Sequence, residues 1–276
     1  IRLSLVGSEM CIRDSSDTAE AVEADPLFNQ SLEKGLAVLR AFDATHRTMT
    51  LADIAVAAGM NKASAQRTVH TLQVLGYIGK HPQTRRFRLL PKVMELGFSY
   101  VIANSTLRAA HPYLSQLAHT SGETACLTEP IGLDMMYVSQ SGTSAFIPML
   151  TPIGMRVPMY CTSSGRAYLS RLPDESVRQM IEQSNRVART PHTRVEVDDV
   201  MATIDECRRV GFAMNVEELF LGDMGVGAPI VDSRGTPLGA VHLAPPSSHW
   251  TAESARQKLG PLVAACARAI SESLPH

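Results

Sequence analysis

Residues 50–76 read TLADIAVAAGMNKASAQRTVHTLQVLG, and the punctuation of this stretch decides the fold. Thr50 and Asp53 make the Ser/Thr-x-x-Asp/Glu pattern that opens a helix, each side chain satisfying an orphan backbone N–H. Leu51, Ile54, Ala55 and Ala58 then recur at helical spacing and form one apolar face. Gly59 stops that helix, because glycine takes the positive φ required just past a helix end. Asn61 caps a second helix, in which Ala65, Val69, Leu72 and Leu75 face inward and Ala63, Gln66, Arg67 and His70 face outward. Two short helices joined by a tight Gly-Met-Asn turn, the second polar on its outer side, are the pattern of a helix-turn-helix. Gln66 and Arg67 can bond a base edge in bidentate fashion, and Ala63 can meet a thymine methyl. Thr50, Lys62, Ser64 and His70 complete the expected DNA-reading set. The bland alternative is a helical pair with a solvated face.

The next residues favour the first reading. Residues 77–80 and 85–90 are short extended runs separated by His81-Pro82-Gln83-Thr84, a turn-forming quartet. A hairpin directly behind a recognition helix is a wing, and Lys80, Arg85, Arg86 and Arg88 give it a basic edge for phosphate. Residues 31–90 carry nine Lys and Arg against three Asp and Glu, a surplus of six, whereas the whole chain totals −1, which leaves −7 for the remainder. That asymmetry marks a nucleic-acid module attached to something else.

With 276 residues the chain has room for two domains, and 45% hydrophobic residues suit globular folding. No uncharged apolar run is long enough to span a bilayer. The first seven residues are too short for an export core. The five cysteines (11, 126, 161, 207 and 266) are scattered, odd in number and without a C-x-x-C pair. They fit a reducing cytoplasm and speak against both a disulfide framework and a zinc site. Neither a metal nor a cofactor is expected.

In chain order, IRLSLVGSEMCIRDS at 1–15 has no periodicity and resembles translated sequencing-adapter read-through, so it is set aside from the fold. Residues 16–25 are acidic and small, a disordered lead-in, and 1–26 is treated as one non-native or disordered segment. A first helix is expected over 31–44, its Leu32, Leu36 and Leu39 supporting the reading pair from behind. The DNA-binding domain then spans 27–90. Pro91 can begin a helix, and 91–104 is too apolar for a free linker, giving a connecting helix within a 91–106 linker that packs on a partner subunit or domain. The second domain, 107–276, alternates. Helices are expected at 107–121, 164–171, 173–184, 197–210 and 252–274, and strands at 123–129, 135–140, 145–150, 157–161, 212–216, 226–231 and 238–244. Asp232-Ser233-Arg234-Gly235 is a clear turn. The class is α+β, with a sheet covered on one face.

The runs SLEKGLAVLRAF (31–42), LADIAVAAGMNKASAQRTVHTLQVLGYI (51–78) and RFRLLPKVMELG (86–97) are followed by GETACL (122–127) and MRVPMYCTSSGRAYLS (155–170). RRVGFAMNVEELFLGDMGVGAPI (208–230) and GTPLGAVHLAPP (235–246) complete the set. In this order and spacing the sequence resembles the IclR family of bacterial transcriptional regulators from residue 27 to the C-terminus. The resemblance implies a winged helix joined to a GAF-like, effector-binding domain. It also implies work as homodimers or dimer-paired tetramers on an operator of double-stranded DNA, with RNA polymerase a further candidate partner. Within the family it looks closest to members sensing aromatic acids of the protocatechuate, hydroxybenzoate and ketoadipate routes. Effector-lining positions are implied at Phe146, Met149, Ser163, Ser164, Asn215, Asp223, Gly225, His242 and Ala244. Their hydroxyls, amide and imidazole against an apolar floor suit a small carboxylic acid. Asn215 stands where some relatives carry an acid, and His242 can add a positive charge, so both favour an anion. The bland reading of His242 is a strand histidine with its hydrogen bonds satisfied.

Two other classes compete with this reading. A hydrolase would use Cys161, or Ser163 or Ser164, with His242 as base. However, SSGR is not a G-x-S-x-G elbow and no third orienting group is identifiable. Gly225-Val226-Gly227 lacks the rest of a dinucleotide fingerprint. An adaptor that has lost DNA binding conflicts with the intact basic face and wing. The expectation is therefore a cytoplasmic, non-enzymatic regulator.

Overall fold

The computed structural model describes residues 26–142 and 153–274. The expected lead-in at 1–25 and the expected strand at 145–150, with Phe146 and Met149, lie outside the described residues. Contacts divide the chain between Ser99 and Tyr100 into two compact units.

In the first unit, α1 (Gln30–Arg40) starts at Asn29, whose side chain accepts the Ser31 and Leu32 N–H groups. Helix α2 (Leu51–Ala57) carries the full reciprocal capping box between Thr50 and Asp53. The turn passes through Gly59 at φ +62°, and α3 (Lys62–Val74) begins under Asn61, which accepts the Ser64 N–H at 2.8 Å. Strands β1 (Ile78–Lys80) and β2 (Phe87–Leu89) pair antiparallel, and Met49 joins them through two backbone bonds with Phe87. The core gathers Val38, Met49, Ile54, Val69, Leu72, Ile78 and Phe87. Two expected inward residues of α1 are not in it: Leu32 is 63% and Leu36 43% exposed, and Val38 is the buried residue instead. Leu32, Leu36 and Leu39 do share one face of α1 at helical spacing, but only Leu39 of the three packs against this core. Leu75, past the end of α3, is likewise exposed.

A 3-10 turn at Pro91–Val93 leads into α4 (Met94–Ala103), which contains the division between the units and buries none of its residues. In the second unit, Tyr100 and Asn104 both bond Glu129, and α5 (Ser105–Ser121) follows. Among the described residues six strands form one sheet in the order β5-β4-β3-β8-β7-β6. They are β3 (Ala125–Ile131), β4 (Asp134–Ser141), β5 (Arg156–Pro158), β6 (Ala213–Val216), β7 (Met224–Val231) and β8 (Pro237–Leu243). All neighbours in it pair antiparallel. Helices α6 (Ser163–Leu169), α7 (Asp174–Gln183), α8 (Val197–Val210) and α9 (Ala252–Glu272) complete the unit.

The sheet is covered on both faces, which corrects the one-sided expectation. Ala125, Leu127, Val226, Ala228, Val241 and Leu243 pack with α5 and α9. Cys126, Met135, Tyr137, Ala213 and Ala240 pack with α6, α7 and α8. The cause is in the strands themselves: β7 and β8 are apolar or small along nearly their whole length, the mark of burial from two sides.

Candidate functional site

The outer face of α3 presents Lys62, Ala63, Gln66, Arg67 and His70 to solvent. Ser64 is not among them. It is buried, because positions 64, 65, 68, 69 and 72 form one helical stripe turned toward the core. Thr50 is half-buried, and its hydroxyl accepts the Asp53 N–H at 3.2 Å. On the wing, Lys80 lies 5.1 Å from the Phe87 ring centre, which leaves its ammonium at the surface. Arg85 is exposed at the tip with φ +55°. Arg86 is placed differently from the sequence expectation. Its guanidinium donates to the Thr48 hydroxyl at 3.0 Å and the Thr48 carbonyl at 2.8 Å, and stands 3.7 Å from Asp53. It therefore staples the wing to the start of α2 rather than reaching outward.

The second group of residues converges on the sheet face beneath α6. Helix α6 starts at Ser163, one residue ahead of the expected start, and Thr162 caps it by accepting the Gly165 N–H at 3.3 Å. The Ser163 N–H donates to Asn215 Oδ1 at 2.8 Å, tying α6 to β6. Opposite, β7 is cut down to glycine. A Cβ at Gly225 would stand 2.3 Å from Asn215 Oδ1 and 2.5 Å from Ser163 Oγ, and one at Gly227 would stand 2.9 Å from the Ser163 carbonyl carbon. Only glycine allows α6 to sit this close. His242 pairs with Gly227 on one side and Cys126 on the other. Its Nε2 lies 3.2 Å from the Tyr137 hydroxyl, and the two rings meet edge to face at 5.2 Å. Burial lowers the imidazole to about 4, so it is neutral at neutral pH. The expectation that His242 adds positive charge is thereby corrected. Asp223, at the head of β7, has its carboxyl pushed up to about 7 by burial. Ala244 donates its N–H to the Thr124 carbonyl at 3.2 Å. The structure thus brings Ser163, Ser164, Asn215, Gly225 and His242 together, with Asp223 and Ala244 at the strand ends.

Two family profiles match the chain in sequence order: the IclR helix-turn-helix domain over residues 31–82 and the C-terminal domain of the bacterial transcriptional regulator IclR over 98–272. The chain belongs to the IclR family of bacterial transcriptional regulators.

This IclR-family chain is 32% identical to the Pca regulon regulatory protein of Pseudomonas putida over 256 residues, covering 92% of this chain and 87% of that protein. It is 26% identical to the transcriptional repressor AllR of Escherichia coli, over 89% of this chain and 90% of that one. A Rhodococcus sp. RHA1 structure described as a transcriptional regulator superposes with a TM-score of 0.80 at 33% identity, covering 90% of this chain and 98% of that one. An IclR homolog of Microbacterium hydrocarbonoxydans shares the fold, with a TM-score of 0.75 at 18% identity over 89% of this chain and 99% of its own.

Several groups around the site escaped the sequence reading. Arg166 is buried and bonds both carboxylate oxygens of buried Glu218, at 2.7 and 2.6 Å, as well as the Tyr160 and Met214 carbonyls. An arginine inside the apolar SSGRAYL helix was the available signal, since a buried charge requires a partner. Thr124 and Tyr137 are also buried on this face, and nothing in their strands distinguished them from core residues. Burial pushes the Cys161 thiol up to about 11, which removes the thiolate that the hydrolase reading needs. A separate cavity of about 320 Å3 lies against β6, α8 and the start of α9. Its charges pair internally, Arg256 with Glu206 at 2.8 Å and Arg194 with Glu218 at 3.5 Å, and the convergent residues lie elsewhere. Among the described residues no cluster of three His, Cys, Asp or Glu could hold a metal, and no helix is long and apolar enough to cross a membrane.

Proposed function

We propose that this regulator binds a double-stranded operator as a homodimer in the cytoplasm, and that a small, aromatic carboxylic acid bound beneath α6 alters that binding. The observation that carries the effector half is the convergence of Ser163, Ser164, Asn215 and His242 over Gly225 and Gly227. It gathers hydroxyls, an amide and an imidazole where the start of α6 meets β6, β7 and β8, a mix that suits a small polar-ended ligand. Support for an aromatic acid comes from the similarity to the Pca regulon regulatory protein and from the Microbacterium homolog, which was solved in complex with 4-hydroxybenzoate. The chain works as a binding protein and not as an enzyme.

On DNA, Gln66 and Arg67 read bases, with Lys62, Ala63 and His70 flanking them, while Lys80 and Arg85 hold phosphate. The test is enrichment of binding sites from random duplex by the purified protein, followed by titration with and without protocatechuate and 4-hydroxybenzoate. Arg67→Ala should cost about 1–3 kcal/mol on the enriched site and relax one base position. Arg85→Ala should weaken all sequences alike and reduce the logarithmic salt slope by about one. Failure to enrich any sequence would overturn the operator reading, and a site indifferent to every acid would overturn the effector reading.

A further inference from the structure

We infer that the effector site ends in a neutral polar subsite, formed by Thr124, Tyr137 and His242, that takes a hydroxyl group of a monocarboxylate and disfavours a second carboxylate. The inference rests on the effector reading above and specifies which acids that site selects.

Thr124 and His242 project from the same face of the sheet. Cys126 pairs with His242 and Ala125 with Leu243, so strand alternation places Thr124, Cys126 and His242 together on the side covered by α6. The Ser163–Ser164 peptide lies over Gly227, the neighbour of His242 on β7, which makes this subsite continuous with the residues beneath α6. Thr124 Oγ1 and His242 Nδ1 are both buried, and neither has a hydrogen-bond partner among the described residues. A buried polar atom without a partner is uncommon in a folded protein, and two on diagonal positions of one strand pair point to a shared guest. The imidazole cannot turn away to find another partner, since Nε2 meets the Tyr137 hydroxyl and the ring packs edge-on against the tyrosine.

The chemistry of the guest follows from charge. The ionisable groups acting on Tyr137 are Cys126 and Asp223. Burial alone governs the imidazole, and no cation offsets Asp223, on which burial and the Met224 N–H act. A second carboxylate here would bury a negative charge with only neutral donors to meet it. A hydroxyl both donates and accepts, so it satisfies Thr124 together with either tautomer of His242.

The experiment is calorimetric titration of the full chain with two matched series: benzoate, 4-hydroxybenzoate and terephthalate, then hexanoate, 6-hydroxyhexanoate and adipate. Each is run on the parent, Thr124→Val and Thr124→Ser. In at least one series the hydroxy acid should bind about fivefold or more tighter than the plain acid, the worth of one neutral hydrogen bond, and the diacid should bind weakest. Thr124→Val should collapse the ratio of hydroxy acid to plain acid toward one, and Thr124→Ser should keep it. A diacid that binds tighter than its hydroxy analogue, or a ratio unchanged by Thr124→Val, overturns the subsite while leaving the effector site standing. If none of the six acids binds the parent, the effector reading falls, and the subsite with it.

Discussion

Asp223 and His242 respond to pH with opposite sign, and the difference is measurable. The Asp223 carboxyl is raised from 3.8 to about 7, so the folded state holds a proton that the unfolded chain has released. Its contribution to stability is whole below 3.8 and is lost as pH rises through about 7. His242 is lowered from 6.5 to about 4, so its contribution is whole above 6.5 and lost as pH falls through about 4. Across the shared window the two slopes oppose each other in the parent. Denaturant titrations of parent, Asp223→Asn and His242→Gln over this range should show the advantage of the parent over Asp223→Asn shrinking as pH rises. The advantage over His242→Gln should shrink as pH falls. Differences that do not vary with pH would mean both groups are hydrated in solution. At this scale the sequence named the residues without their surroundings. Ser64 and Arg86 were the right types for DNA, but one belongs to the inward stripe of α3 and the other is drawn to Thr48 and Asp53.

Elements were legible where local signals act alone. The capping box at Thr50 and Asp53, the asparagine cap at 61 and the glycine turn at 59 need only neighbours a few residues away. The Asp232 turn is equally local: its side chain accepts the Arg234 and Thr236 N–H groups. Contacts between elements were not legible, and the Arg166–Glu218 pair shows why. It joins α6 to the segment after β6 across 52 positions of sequence, and nothing local to either residue announces the other. Glu218→Gln leaves the buried guanidinium without a counter-charge and should destabilise the domain by about 3–5 kcal/mol. Replacing both partners by apolar residues of similar volume, Arg166→Met with Glu218→Leu, should cost less than the single change. Thermal denaturation of the two variants distinguishes a structural ion pair from a surface one, for which the single change would be nearly silent.

For the whole molecule, the exposed apolar residues argue for assembly. Helix α4 exposes Met94, Leu96, Phe98 and Ile102, with Phe98 64% accessible, and α1 separately exposes Leu32 and Leu36. A helix that leaves this many apolar side chains exposed is suited to an interface, and a dimer would match a pseudo-palindromic operator by its own two-fold symmetry. Sedimentation equilibrium at micromolar concentration should give a dimer. Phe98→Asp should shift it to monomer and lower operator affinity at least tenfold, since each half-site would then bind alone. A parent that sediments as a monomer with and without DNA would remove the assembly from the reading.

The sequence by itself determined the two-part organisation, the helix-turn-helix with its basic wing, the α+β class of the larger part and the family. These rest on local capping, on periodicity and on long runs of matching residues, all of which survive without knowledge of distant contacts. The apolar runs of β7 and β8 already marked burial from two sides, but only the tertiary structure decided which helices cover each face of the large sheet, because that packing joins segments far apart in sequence. The same holds for the neutrality of His242, which follows from a burial that no strand pattern records. It holds also for the placement of Thr124 beside it, which needs the register of β3 against β8, a relation between residues more than a hundred positions apart.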